Sequence, residues 1–173
     1  AQKRWVFREA AKGGWRRNVP SPIPREVLNY ESIEALARQG NIVIAVGGGG
    51  VPVYRDEKLD LCPVEGVIDK DLASAVLANQ IKADEFYVLT DVPYIYLNYN
   101  TAEQEVKEFL NAADARKYLE QGQFGNGSMK PKVNACIEFV ENGGQKAIIT
   151  EARKLTDKRY GSKITLNYQN DTA

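Results

Sequence analysis

A chain of 173 residues, 43% hydrophobic and 27% charged, can bury a sizeable core within one domain of ordinary size. Its 23 basic and 23 acidic residues cancel, so no bulk charge draws it to nucleic acid or to an anionic membrane, and any anion site has to be local. There is no histidine, and the two cysteines, Cys62 and Cys136, lack ligand spacing. That excludes the usual zinc centres, Ser-His-Asp triads and Cys-His pairs, and no protein-held metal is expected.

Residues 1–24 are basic and turn-rich. Lys12-Gly13-Gly14-Trp15-Arg16-Arg17 is followed by Pro20-Ser21-Pro22-Ile23-Pro24, and three prolines in five residues forbid helix and predict an extended connector. Trp5, Val6 and Phe7 predict a short strand ahead of it. Ile33, Leu36 and Ala37 have helical spacing, with Gly40 as the stop. Ile42-Val43-Ile44-Ala45-Val46 is an apolar, mostly β-branched run, the pattern of a strand buried on both faces. It runs into Gly47-Gly48-Gly49-Gly50.

A helix is predicted over 71–81, where Leu72 and Val76, and Leu77 and Ile81, stand four apart. Phe86-Tyr87-Val88-Leu89 predicts a second buried strand ending at Thr90-Asp91, with Tyr94-Ile95-Tyr96-Leu97 returning against it as a hairpin. Residues 100–127 are polar, with a helix over 114–120. From Pro131 to Glu141 the apolar positions Val133, Cys136, Ile137 and Val140 fall at i, i+3, i+4 and i+7, an amphipathic helix with proline in its first turn. Ala147-Ile148-Ile149 is a further buried strand ending at Thr150, and Ile164-Thr165-Leu166 an edge strand. Strands alternating with helices predict an α/β fold, a mainly parallel sheet flanked by helices, whose ligands bind at the carboxyl ends of the strands. No apolar stretch approaches the roughly 20 residues of a membrane span, no signal peptide is visible, and the cysteines read as reduced thiols. A first residue Ala1 in place of methionine favours a fragment of a longer protein.

The most informative positions break local rules. A helix N-terminus carries partial positive charge and disfavours lysine by about 0.3–1 kcal/mol. Yet Lys70 opens one predicted helix, and Lys130 and Lys132 open another. Either these ammonium groups reach into water or an anion shares the site with them. Water suffices for Lys130; placement alone does not decide for Lys70 and Lys132. In Asp69-Lys70-Asp71 the carboxylates can cap the helix or hold the lysine beside a transferring group. The four glycines form either a plain tight turn or a loop that lets backbone approach a ligand closely; no Gly-Lys-Ser/Thr follows, so they are not a Walker A loop. Gly127-Ser128-Met129 could pass beside a nucleotide, and Tyr94, Tyr96 and Tyr99 could border the same pocket, although strand aromatics are more often core.

These segments, in this order across nearly the whole chain, resemble carbamate kinases of the amino-acid kinase family. Ile44-Ala45-Val46-Gly47-Gly48-Gly49-Gly50-Val51-Pro52-Val53 is similar to their glycine-rich segment. Val67-Ile68-Asp69-Lys70-Asp71-Leu72-Ala73-Ser74 resembles their most distinctive motif. Leu89-Thr90-Asp91-Val92, Gly127-Ser128-Met129-Lys130-Pro131-Lys132-Val133 and Arg16-Arg17-Asn18-Val19-Pro20-Ser21-Pro22 also match. The resemblance implies a three-layer sandwich around a mainly parallel sheet, of which this chain would be the nucleotide-binding half. It implies transfer of a phosphoryl group between ATP and carbamate, giving ADP and carbamoyl phosphate, with Mg2+, run toward ATP in arginine catabolism. It further implies a cytoplasmic homodimer.

By the same resemblance Lys132, Asp71 and Lys70 would be catalytic. Thr90, Asp91, Tyr99, Ser128 and Met129, with Lys70 and Lys132, would surround the nucleotide, and Gly47, Gly48, Gly49 and Gly50 would border the phosphoryl and carbamate end. Residues 1–24 would be the remnant of a subdomain overhanging the site, residues 25–173 the nucleotide-binding lobe, and the N-terminal substrate lobe would be absent from this chain. The tail Gly161-Ser162-Lys163-Ile164 only approximates the family's Gly-Thr ending. A non-catalytic nucleotide-binding module is the alternative. A different acyl-phosphate-forming kinase of the same fold is disfavoured by Asp69-Lys70-Asp71.

Overall fold

The apolar faces of the helices and the β-branched runs meet around one mixed sheet, in a computed structural model that describes residues 5–9, 13–124 and 129–168. At the front, β1 (Phe7–Glu9) and β2 (Trp15–Arg17) form an exposed antiparallel hairpin with Phe7 opposite Arg17, and the Arg17 guanidinium lies 4.5 Å from the Trp5 ring centroid. The proline-rich connector that follows is irregular, as its sequence requires. Helix α1 (Tyr30–Arg38) buries Ile33.

The run Ile42–Val46 departs from expectation. It forms no strand, and Ile42 and Ile44 are 99% and 96% exposed. The apolar pattern is that of a buried strand, but strand formation needs a hydrogen-bonding neighbour, and no described strand pairs with it. Beyond it, β3 (Val53–Arg55) and β4 (Leu61–Pro63) make a second small hairpin. Its turn is held by the Asp56 carboxylate, which accepts from the amides of Lys58 and Asp60 at 2.9 and 3.0 Å.

Helix α2 (Lys70–Gln80) buries Ala73, Ala75, Leu77 and Ala78, and the three alanines allow close helix packing. It leads into β5 (Glu85–Thr90). The next strand, β6 (Ile95–Leu97), does not return against β5. It pairs antiparallel with β7 (Glu105–Lys107), and the Ser162 hydroxyl accepts from the Ile95 amide at 2.7 Å and donates to the Lys107 carbonyl at 2.5 Å. β8 (Phe109–Asn111) also lies in the stretch read as polar, and helix α3 (Ala112–Glu120) begins where the Asn111 side chain accepts from the Asp114 amide at 2.7 Å. Helix α4 (Met129–Glu141), strand β9 (Lys146–Glu151), a 3-10 turn at Ala152–Lys154 and strand β10 (Ser162–Thr165) complete the described elements.

The sheet order is β5-β9-β10-β8. β5 runs parallel to β9 with Phe86 opposite Ala147 and Thr90 opposite Glu151. β10 is antiparallel to β9 and parallel to β8, so it is an interior strand and not the edge strand its sequence suggested. Two of the three pairings are parallel. Helix α4 packs on the sheet between α2 and α3 and touches both. It supplies more of the core than any other element: Val133, Cys136, Ile137, Phe139 and Val140 are all 1% exposed or less. Each such large apolar side chain contributes about 1.5–3 kcal/mol on burial. Phe139 also meets Phe86 with ring centroids 5.4 Å apart. Both cysteines are free thiols.

Candidate active site

Helix α2 packs against β5, the strand that follows it, and α4 likewise against β9. A helix running back along the strand that follows it opens at that strand's carboxyl end. Because β5 and β9 are parallel, the openings of α2 and α4 fall at the same end of the sheet, where α/β folds place their ligands.

The two openings meet through one carboxylate. Asp69 caps α2: its Oδ1 accepts from the amides of Asp71 and Leu72 at 2.8 and 3.1 Å. This fixes Asp71 in the first turn of the helix, 8% exposed. Its Oδ2 accepts from Lys70 Nζ at 3.0 Å and from Lys132 Nζ at 3.2 Å, and Lys132 reaches Oδ1 at 3.4 Å. Lys132 is itself 8% exposed, whereas the Lys70 side chain is 55% exposed. Two ammonium groups therefore share the Asp71 carboxylate, so that trio carries one net positive charge; the Asp69 carboxylate offsets it but is turned onto the α2 amides, and both helix N-termini favour anions. Beneath them Cys136 is fully buried. Burial pushes its thiol up, with the Asp71 charge adding and Lys132 opposing, so it is an uncharged packing group and not a nucleophile.

The glycine loop is tied to this corner. Gly49 is buried with φ +84°, its amide donates to the Val46 carbonyl at 2.9 Å, and a Cβ at this position would stand 2.1 Å from the carbonyl oxygen of Ile68, the residue before the Asp69 cap. Only glycine lets the loop lie flat against that carbonyl. Gly47, Gly48 and Gly50 have open space around them.

At the carboxyl end of β5 the Thr90 hydroxyl donates to the Asp91 carboxylate at 3.1 Å. Tyr96 and Tyr99 stand 5.7 Å apart between ring centroids, and Tyr94 and Tyr160 stand 5.2 Å apart. Tyr160 donates to the Glu151 carboxylate at 2.8 Å, and that bond pushes its phenol up to about 12. Burial raises Tyr96, with Tyr94, Tyr99 and Glu151 adding to it, which marks these groups as one cluster. Tyr99 is 60% exposed. Met129 is half-buried and packs against the edge of the core. Gly127 and Ser128 lie outside the described residues.

Lys70, Asp71 and Lys132 are thus in direct contact, and Gly49 touches the lead-in to α2. Thr90 and Asp91 hold each other at a strand end, and Tyr99 contacts Tyr96. Sequence reasoning missed Ile68, Glu151 and Tyr160, whose parts arise from tertiary contact; the four glycines were the one hint that some backbone had to approach closely. Among the described residues no group of three or more acidic or cysteine side chains could hold a metal ion, and no helix is long and apolar enough to cross a membrane.

The family model described as the amino acid kinase family matches residues 6–151. A carbamate kinase of Thermoplasma acidophilum is 51% identical over 162 residues, covering 94% of this chain and 52% of that protein. One from Pyrococcus furiosus is 44% identical over 164 residues, 95% of this chain and 52% of the relative. Among solved structures, a carbamate kinase from Giardia lamblia bound to AMP-PNP superposes with a TM-score of 0.82 at 36% identity, over 93% of this chain and 52% of that one. The chain spans about half the length of the curated relatives it matches.

Proposed function

The chain belongs to the amino acid kinase family, and from that premise we propose that it is the nucleotide-binding half of a carbamate kinase, interconverting ATP and carbamate with ADP and carbamoyl phosphate. The observation that carries this reading is the Asp71 carboxylate shared by Lys70 and Lys132 at two helix openings. Its chemistry suits phosphoryl transfer, where positioning and electrostatics do most of the catalysis.

In the forward direction a carbamate oxygen attacks the γ-phosphorus, the bond to the bridging oxygen of ADP breaks, and that electron pair stays on ADP. Negative charge is spread over the transferring oxygens throughout. Lys132, buried and held by Asp71, meets that charge without having to reorganise. Lys70, more exposed, contacts nucleotide phosphate. Asp71 is the positioning group that keeps both ammonium groups aimed at one place. Thr90, Asp91, Tyr99, Ser128 and Met129 border the nucleotide, and the loop Gly47–Gly50 borders the carbamate end. Mg2+ enters as the ion carried on the nucleotide phosphates, a mode that needs few protein carboxylates, and supplies further charge neutralisation there. In this reading residues 1–24 overhang the site and residues 25–173 form the nucleotide lobe. The complete enzyme is a cytoplasmic homodimer that makes ATP during arginine catabolism.

A second reading is a non-catalytic nucleotide-binding module or fragment of the same fold, using the same lysines and Asp71 to hold phosphate without transfer. One experiment separates the two: ATP formation from ADP and carbamoyl phosphate, measured on this chain alone and after adding the remaining half of a relative as a separate polypeptide. The kinase reading expects little turnover alone and turnover on complementation. Tight ADP binding with no turnover in either arm would instead establish the module.

A further inference from the structure

The outer sides of α2 and α4, away from the Asp71–Lys132 pair, enclose a cavity of about 370 Å³ with the connector at residues 23–25 as its lip. That volume lies in the range of small-molecule sites, roughly 300–1,000 Å³. Its chemistry is divided. Leu72, Val76 and Ile23 supply an apolar wall. Opposite in character are Arg25, which makes no ion pair among the described residues, and the acceptors Asn79 and Glu138, the Glu138 carboxylate also receiving the Arg116 guanidinium at 3.3 Å on one oxygen. The Asn79 side-chain oxygen is buried with no hydrogen-bond partner among the described residues, while its amide nitrogen donates to the Glu138 carbonyl at 3.4 Å. Gln80, by contrast, is satisfied, accepting from the Val27 amide at 2.8 Å. A buried acceptor without a donor is unfavourable, and it stands in the same cavity as a guanidinium with no anion.

A ligand that satisfies both has an ammonium group for Asn79 and the Glu138 carboxylate, a carboxylate for Arg25, and a short apolar body for Leu72 and Val76. We infer that this cavity binds a free α-amino acid with an apolar side chain, at a site separate from the nucleotide and phosphoryl groups. The inference does not depend on the kinase reading, since none of the cavity's residues belongs to that site. Its wall nevertheless includes Leu72, next in sequence to Asp71, so an occupant braces α2 beside the carboxylate that joins the two lysines.

The test is calorimetric titration of L-leucine into the full chain, repeated with isoamylamine, which lacks the carboxylate, and isocaproate, which lacks the ammonium. L-Valine, L-isoleucine and L-methionine are run alongside. The inference expects at least one of the four amino acids to bind with a Kd of about 5 mM or tighter. For L-leucine, or for whichever of these binds best, removal of either charged group should weaken binding by about tenfold or more. Arg25→Gln, an exposed position whose loss disturbs no packing, should weaken the amino acid by about fivefold or more, and Val76→Phe, which fills the cavity, should abolish binding. Absence of binding by all four amino acids at that limit overturns the inference. So does a half-ligand that binds within tenfold of the amino acid, or binding that survives either substitution. No nucleotide enters the experiment, so its failure leaves the kinase reading intact, and failure of the kinase assay leaves this inference intact.

Discussion

Gly49→Ala and Gly50→Ala together isolate what the glycine loop does. Both glycines have positive φ, +84° and +86°, so alanine carries the same left-handed penalty at each, about 1–2 kcal/mol. Only at Gly49 does the added methyl meet anything: it would stand 2.1 Å from the Ile68 carbonyl oxygen and 2.8 Å from its carbon, whereas nothing lies within 4 Å at Gly50. Those Ile68 atoms are backbone, one residue before the Asp69 cap, and cannot rotate away. Overpacking of this kind costs about 1–3 kcal/mol more. The expected loss is therefore about 1–2 kcal/mol for Gly50→Ala and about 2–5 kcal/mol for Gly49→Ala. Urea denaturation measures both, and the difference between the variants is the informative quantity because the shared backbone strain cancels. The displaced Ile68 should also shift Lys70 and Asp71, so nucleotide affinity should fall in Gly49→Ala and hold in Gly50→Ala. Equal destabilisation by the two substitutions would refute the claim that the loop is pinned on α2.

Lys132→Ala in a complete enzyme is expected to lower turnover on the order of 100-fold or more, and a loss below about threefold would remove Lys132 from the chemistry. Ser162→Ala leaves the Ile95 amide and the Lys107 carbonyl without the bonds they now share. It should cost about 1–3 kcal/mol in denaturant unfolding. Glu85 is held down to about 2 from 4.5, first by the Tyr87 hydroxyl and then by Lys146, with Lys158 adding. A depressed carboxylate stabilises the fold above its unfolded value and loses that contribution as pH falls toward 2. Glu85→Gln should accordingly flatten the dependence of Tm on pH between about 4.5 and 2, as followed by circular dichroism, and have no pH-dependent effect above that window.

The elements that were legible in sequence are those whose signals are local. Helices α2 and α4 announce themselves by four-residue apolar spacing, Asp69 before one and Pro131 early in the other, and β5 and β9 by unbroken apolar runs. The lysines of the candidate site were visible because they sit where a helix dipole should repel them, and the structure brings Lys70, Asp71 and Lys132 into contact. What failed depended on partners. Ile42–Val46 has the composition of a buried strand, but strand formation is a property of a pair, and no described strand lies beside it. Tyr94–Leu97 was assigned to β5 because it is next in sequence, yet β6 pairs with β7 in a stretch whose polarity concealed two strands. β10 looked peripheral because it is short, although it lies between β9 and β8. Tyr160 and Glu151 carry no sequence signal that separates them from ordinary surface residues. They are joined by a fold that brings the end of β9 near the residues preceding β10.

The most direct measurement is a crystal structure of this chain with AMP-PNP. The account predicts phosphate oxygens within about 4 Å of both Lys70 Nζ and Lys132 Nζ, with Asp71 still bridging the two ammonium groups. A nucleotide bound elsewhere, with those ammonium groups facing only Asp71, would contradict it.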